Sequence, residues 1–71
     1  MFVLIPKDKT PMRLFTSFSA VEQVVLSEVP IRTRLGMDPD WCFVLEYAGI
    51  DELVCVCQYT IQDNVSLRAM R

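Results

Sequence analysis

The chain has 71 residues, of which 52% are hydrophobic, and its formal net charge is −2. This length allows a single small domain. The seven basic residues are scattered and no window approaches the roughly 18 apolar residues that a membrane span needs, so we expect neither nucleic-acid binding nor a membrane span.

Residues 1–16 predict a β-hairpin. Residues 1–5 are apolar and β-prone, and residues 6–11 contain two prolines together with other turn formers. A second strand is then expected over residues 12–16.

A helix is predicted over residues 20–29. Ser19 and Glu22 form a capping-box pattern, in which each side chain can bond to the backbone amide of the other. Pro30 is expected to end the helix, because a proline disfavours helical geometry in the residue before it. The apolar residues that recur at helical spacing are Val21, Val24, Val25 and Val29.

The remaining residues are rich in strand signals. Residues 31–39 predict an irregular connection and residues 41–47 a strand, with large side chains alternating along it. Residues 53–57 form a strand or a loop, and residues 66–70 form the last strand. The predicted element order is therefore ββαβ(β)β.

The second half of the chain resembles the ubiquitin-like family. Tyr47-Ala48-Gly49 matches an aromatic-Ala-Gly strand end of that family, and its later apolar and Tyr positions are matched by Val56, Tyr59, Ile61 and Leu67. The resemblance implies an α+β fold of the β-grasp type, with one helix packed on a mixed sheet. It also implies that residues 1–71 form one domain, a module of a larger protein, and that the Tyr59 hydroxyl anchors a loop by bonding to backbone.

The family's own recognition surface is poorly matched. Glu46 stands at the position of its outward Ile, and Arg68 and Met70 stand at its His and Val positions. No Gly-Gly tail is present up to Arg71. The resemblance therefore implies a noncovalent protein-binding module or adaptor of the ubiquitin pathway, and not an activated modifier.

The sheet surface away from the helix is the predicted binding site. In the strand order that the resemblance implies, the last strand lies beside the first, and this surface is apolar with polar residues near one side. A protein partner or self-association would cover it. A bulge or a shifted register would instead turn some of these residues inward. The predicted protein-binding residues are Phe2, Leu4, Phe15, Val44, Glu46, Arg68 and Met70.

Two alternatives stay open within this fold. The chain could be a lobe that binds small GTPases, or a FERM-type lobe, using an edge strand and nearby basic side chains. It could also be a modifier precursor if the natural chain continues to Gly-Gly. The basic side chains of the first alternative are Lys7, Lys9, Arg13 and Arg32.

The residues that could carry chemistry are few. Cys42, Cys55 and Cys57 are an odd number of cysteines without any histidine, which favours reduced structural thiols over disulfides or zinc. We therefore expect no enzyme, metal or cofactor, and a cytoplasmic or nuclear location. Trp41 is either a core residue or an exposed binding anchor.

Overall fold

A computed structural model describes residues Met1–Met70 and shows an α+β fold, with one helix packed on one face of a five-strand sheet. The helix, the hairpin before it and the strand after it are confirmed. The elements are β1 (Phe2–Pro6), β2 (Arg13–Phe15), α1 (Phe18–Arg34), β3 (Cys42–Tyr47), β4 (Cys55–Gln62) and β5 (Ser66–Ala69).

The sheet has the order β2-β1-β3-β4-β5, and each neighbouring pair is antiparallel. The expected mixed sheet, with the last strand beside the first, is therefore wrong. Asp63 and Asn64 have positive φ angles of 53° and 61°, which Asp and Asn tolerate better than most residues. They form a tight turn that folds β5 directly back onto β4.

Strand β4 is longer than predicted. The segment from Tyr59 to Gln62, which follows the strand or loop predicted over residues 53–57, lies inside β4 and pairs with β5. The Tyr59 hydroxyl donates to Glu46 Oε1 at 2.7 Å, so the expected bond to backbone is wrong as well. Because only residues 63–65 join β4 to β5, the last strand pairs with β4 as a hairpin and not with β1.

Helix α1 begins earlier than the capping-box pattern indicates. Ser17 is its N-cap, and the Ser17 hydroxyl accepts a bond from the Ala20 amide at 3.2 Å. Glu22 is turned to a tertiary partner, because its carboxylate accepts a bond from the Leu67 amide at 3.1 Å. The side chain predicted to close the cap thus ties the helix to β5.

Helix α1 continues through Pro30 and ends at Arg34, so the predicted end is wrong. Pro30 is exposed, while Val25 and Val29 in the same part of the helix are buried, so packing holds this stretch despite the proline. Gly36 has a φ of +72°, which glycine adopts without strain. Its amide bonds to Thr33 O at 3.2 Å and the Met37 amide bonds to Arg32 O at 2.8 Å, the pattern of a Schellman cap.

The core lies between α1 and the inner face of the sheet. Three aromatic rings pack at its edge, with Phe18 centred 5.8 Å from Phe2 and 5.1 Å from Tyr59. The buried residues of the core cluster are Phe2, Leu4, Val21, Val25, Cys42, Val44 and Leu67.

Candidate protein-binding surface

The register of the sheet decides which side chains point away from the helix. Leu4 pairs with Val44, and both are buried against α1. Because successive side chains alternate between the two faces, Val3 and Ile5 point to the opposite, outer face. Their partners on β3, Leu45 and Phe43, point the same way.

Most of the predicted binding residues therefore lie on the wrong side. Phe2, Leu4 and Val44 are buried in the core, and Phe15 is half-buried against it. Glu46 shares their face, since its carboxylate meets the Tyr59 hydroxyl. The alternation was predicted correctly, but the two faces were exchanged.

The two remaining predicted residues, Arg68 and Met70, are exposed. Arg68 lies on the outer face, because its neighbour Leu67 is buried under the helix. The structure therefore separates the seven predicted residues and does not bring them together as one surface.

The outer face carries an apolar surface that we term the outer patch. Exposure of its most accessible members ranges from 44% for Phe43 to 95% for Leu53. The outer patch comprises side chains of β1, β2 and β3, of the residue before each of the first two strands, and of the segment after β3, and Val3 is its one buried member at 7% exposure. Its residues are Met1, Val3, Ile5, Met12, Leu14, Phe43, Leu45, Tyr47, Ile50 and Leu53.

Within the outer patch lies a groove of about 390 Å³. Residues of β1 and β2 line it, and so do Ile50 and Leu53 from the segment after β3. The walls are mostly apolar, although Glu52 also lines the groove. A ligand that enters it would be recognised mainly by shape and by apolar contact.

The other half of the outer face has a different character. From Gln58 onward, strands β4 and β5 turn polar side chains outward, while Ile61 and Leu67 pack inward on the core. Val56, at the start of β4, is apolar and 55% exposed. An antiparallel sheet with one wet face normally shows this alternation. The outward residues of this half are Gln58, Thr60, Gln62, Ser66 and Arg68.

The sequence signal for the outer patch was present but was assigned to the wrong face. Large apolar residues occupy both alternating sets of β1, and Phe43, Leu45 and Tyr47 lie along one side of β3. Such strands are typical of a sheet covered on both faces. The outer members of β1 and β2 are not identifiable from the sequence, because alternation divides a strand into two faces without showing which one the helix covers.

The cysteines are free thiols. Cys42 is buried, and burial, with a smaller contribution from Asp40, raises the pKa of its thiol to about 11. Cys55 is exposed and Cys57 half-buried. Among residues 1–70, no group of three or more potential metal-ligating side chains comes together.

A second cleft, of about 430 Å³, lies between α1 and the β1–β2 hairpin, and Arg13, Arg32 and Trp41 line it. Trp41 is half-buried against the core and donates from Nε1 to Val25 O at 3.1 Å, which identifies it as a core residue. The Arg32 guanidinium lies 5.1 Å from the centre of the Trp41 ring.

Charges in and beside this cleft are mixed. Arg32 Nε lies 3.8 Å from Glu28 Oε2, and Lys7 Nζ lies 3.1 Å from Asp40 Oδ2. Two of the four basic side chains expected to contact a GTPase thus already have acidic neighbours. The cleft therefore presents no concentrated positive surface.

In the part of the chain that the structure describes, no helix is both long enough and apolar enough to cross a membrane. Comparison of the protein with family models, with curated proteins and with solved structures finds no significant match.

Proposed function

We propose that this protein is a noncovalent protein-protein interaction module and that the outer patch is its interface. The observation that carries the proposal is the contrast on one sheet face. Leu14 and Phe43 are 60% and 44% exposed on the apolar half, whereas β4 from Gln58 onward and β5 turn polar side chains to the same face.

Burial of the outer patch supplies a driving force of suitable size. Covering an exposed Leu or Phe side chain contributes roughly 1.5–3 kcal/mol. Association costs an estimated 4–15 kcal/mol in lost translational and rotational freedom. Several patch side chains must therefore be buried together, which a groove bordered by Leu14, Ile50 and Leu53 allows.

The proposal does not depend on membership of the ubiquitin-like family. A helix over one face of a five-strand sheet is compatible with a β-grasp, but the all-antiparallel strand order differs from the one that the resemblance implied. Membership of that family, an adaptor role in the ubiquitin pathway and a cytoplasmic or nuclear location stay predictions. The interface is argued from the exposed side chains alone.

The alternatives are less well supported. Lys7 and Arg32 lie beside Asp40 and Glu28, which weakens the case for a basic GTPase-binding edge. The modifier alternative depends on chain beyond Arg71. We therefore retain protein binding through the outer patch as the function.

The test is a quantitative affinity capture with matched variants. Leu14→Asp and Phe43→Asp each place a charge in the outer patch, and Val65→Asp places one on a side chain that is 73% exposed in the β4–β5 turn. We expect the two patch variants to lose at least ten-fold in affinity for a purified partner that Val65→Asp still binds. Circular dichroism of each variant checks that the fold persists.

Equal binding by the patch variants and by Val65→Asp would exclude the outer patch as the interface. A loss of binding accompanied by loss of helical signal would reflect unfolding. The milder Leu14→Ser and Phe43→Ser variants then replace the charged ones, and retention of full binding by those folded variants would equally overturn the proposal.

A further inference from the structure

We propose that the partner seated on the outer patch is a second copy of this chain, related by a two-fold axis. This inference rests on the proposed function, because it uses the same surface. The charge, the shape and the exposed area of the outer patch all favour a second copy as the partner.

The charge of the outer patch suits self-pairing. In a two-fold dimer the same surface appears on both sides, so charges near the axis meet their own copies and repel. None of the ten side chains of the outer patch is charged, and Glu52 is the one charged side chain that lines its groove, so the two-fold axis must keep the two Glu52 carboxylates apart. Nearby Lys7 is paired with Asp40 at 3.1 Å, so it adds little net charge to the border.

The shape of the outer patch also suits self-pairing. Leu53 is 95% exposed and Ile50 is 73% exposed, and both stand at the rim of the groove of about 390 Å³. A two-fold axis beside this rim would bring Leu53 of each copy to the groove of the other. The projecting Leu53 side chain and the groove that would receive it thus belong to the same surface, as a two-fold interface requires.

The area is adequate for a small dimer. Met12, Leu14, Phe43, Ile50 and Leu53 are each between 44% and 95% exposed. Together they expose on the order of 600 Å², the upper end for the largest patch on a typical monomer. A standard interface takes about 800 Å² from each partner, so the remaining patch members and the rim would complete a modest one.

Sheet geometry permits this contact. Two sheets pack face to face at about 10 Å with their side chains interleaved. The inner face of each copy is already occupied by α1. Pairing through the outer faces would bury the apolar half of each sheet between the two copies, with a helix on each outside.

The experiment is sedimentation equilibrium of the full chain over roughly micromolar to millimolar concentrations, a range in which a small interface is expected to associate. We expect the mass to rise from that of the 8.2 kDa monomer to twice that value. Leu53→Asp should raise the dissociation constant at least 100-fold, since it places a carboxylate in the apolar contact. Val65→Asp, also a highly exposed apolar residue given a charge, should dimerise like the unmodified chain.

A chain that stays at 8.2 kDa over the whole range would overturn the dimer. So would a Leu53→Asp variant that dimerises as tightly as Val65→Asp. Either result leaves the proposed function standing if Leu14→Asp still abolishes binding to a foreign partner. If the patch variants also keep that partner, both proposals are lost.

Discussion

In the first three strands both faces of the sheet carry large apolar side chains, but the exposure of these side chains differs greatly between the faces. On the inner face Leu4 and Val44 are 0% and 1% exposed, whereas on the outer face Leu14 and Phe43 are 60% and 44% exposed. A single helix causes the difference, because α1 covers one face alone. Hydrophobicity therefore identifies residues that need a cover, and the tertiary structure decides which of them receive it.

The two faces therefore have different roles, one in the stability of the monomer and the other in association. Side chains under α1 stabilise the monomer, because their burial is complete in one chain. The exposed side chains of the outer patch gain little until a second molecule covers them, whereas Val3, at 7% exposure, is already buried in one chain. Substitutions on the inner face should therefore reduce the free energy of unfolding, and substitutions on the outer patch should reduce association.

The largest expected difference is between two leucines of the same hairpin. Leu4→Ala removes a fully buried side chain and should reduce the free energy of unfolding by about 2–5 kcal/mol. Leu14→Ala changes an exposed position and should alter it by no more than about 0.5 kcal/mol. Urea unfolding of both variants at low protein concentration measures this difference, and equal losses would show that the faces are assigned incorrectly.

A smaller loss of stability is expected at Trp41, which precedes β3 and bonds to helix α1. Trp41→Phe removes the indole N–H that donates to Val25 O, and leaves that bond unmade. We expect a loss of about 0.5–1.5 kcal/mol in the free energy of unfolding. Phe43→Leu, at a 44% exposed position on the outer face of β3, is the control and should change it by no more than about 0.5 kcal/mol. A control loss as large as that of Trp41→Phe would contradict the role given to the indole.

The smallest expected effect is on the pKa of Tyr59, which bonds to Glu46 on the inner face. The bond to Glu46, and then partial burial, raise the pKa of Tyr59 above its usual value near 10. Glu46→Gln should lower that pKa toward its usual value, because the glutamine amide is uncharged. Phenolate absorbance in a Tyr47→Phe background, where Tyr59 is the titrating tyrosine, measures the change.

The sign of the linked stability change follows from the raised pKa. Protonated Tyr59 contributes its full stabilisation of the fold below the pKa near 10 that it has in the unfolded chain. This contribution is lost as the pH rises further toward the pKa of Tyr59 in the folded chain. Glu46→Gln should make this loss shallower in urea titrations above about pH 10. An unchanged Tyr59 pKa in Glu46→Gln would place Tyr59 away from that carboxylate.

Local patterns predicted much of the fold. The turn formers of residues 6–11 indicated the first hairpin, and the stripe of Val21 and Val25 indicated the buried side of α1. The ends of the helix were less predictable. Ser17 caps it in place of Ser19, and packing carries it past Pro30 to the Schellman cap at Gly36.

The candidate site was predicted as a type of surface and not as a set of residues. An exposed apolar sheet face was expected, and one is present, but Phe2, Leu4 and Val44 are in the core. Each of these residues is one position away from a residue of the outer patch. In a strand, that single step moves a side chain to the opposite face.

The sequence by itself determined the alternation along β1 and β3, since a strand has a side-chain period of two and its residues fall into two sets. It also determined that both sets are apolar in β1. The tertiary structure alone decided which set lies under α1, because that depends on the strand order and on the side from which the helix crosses. The same packing brought Leu14, Phe43 and Leu53, far apart along the chain, to one uncovered surface.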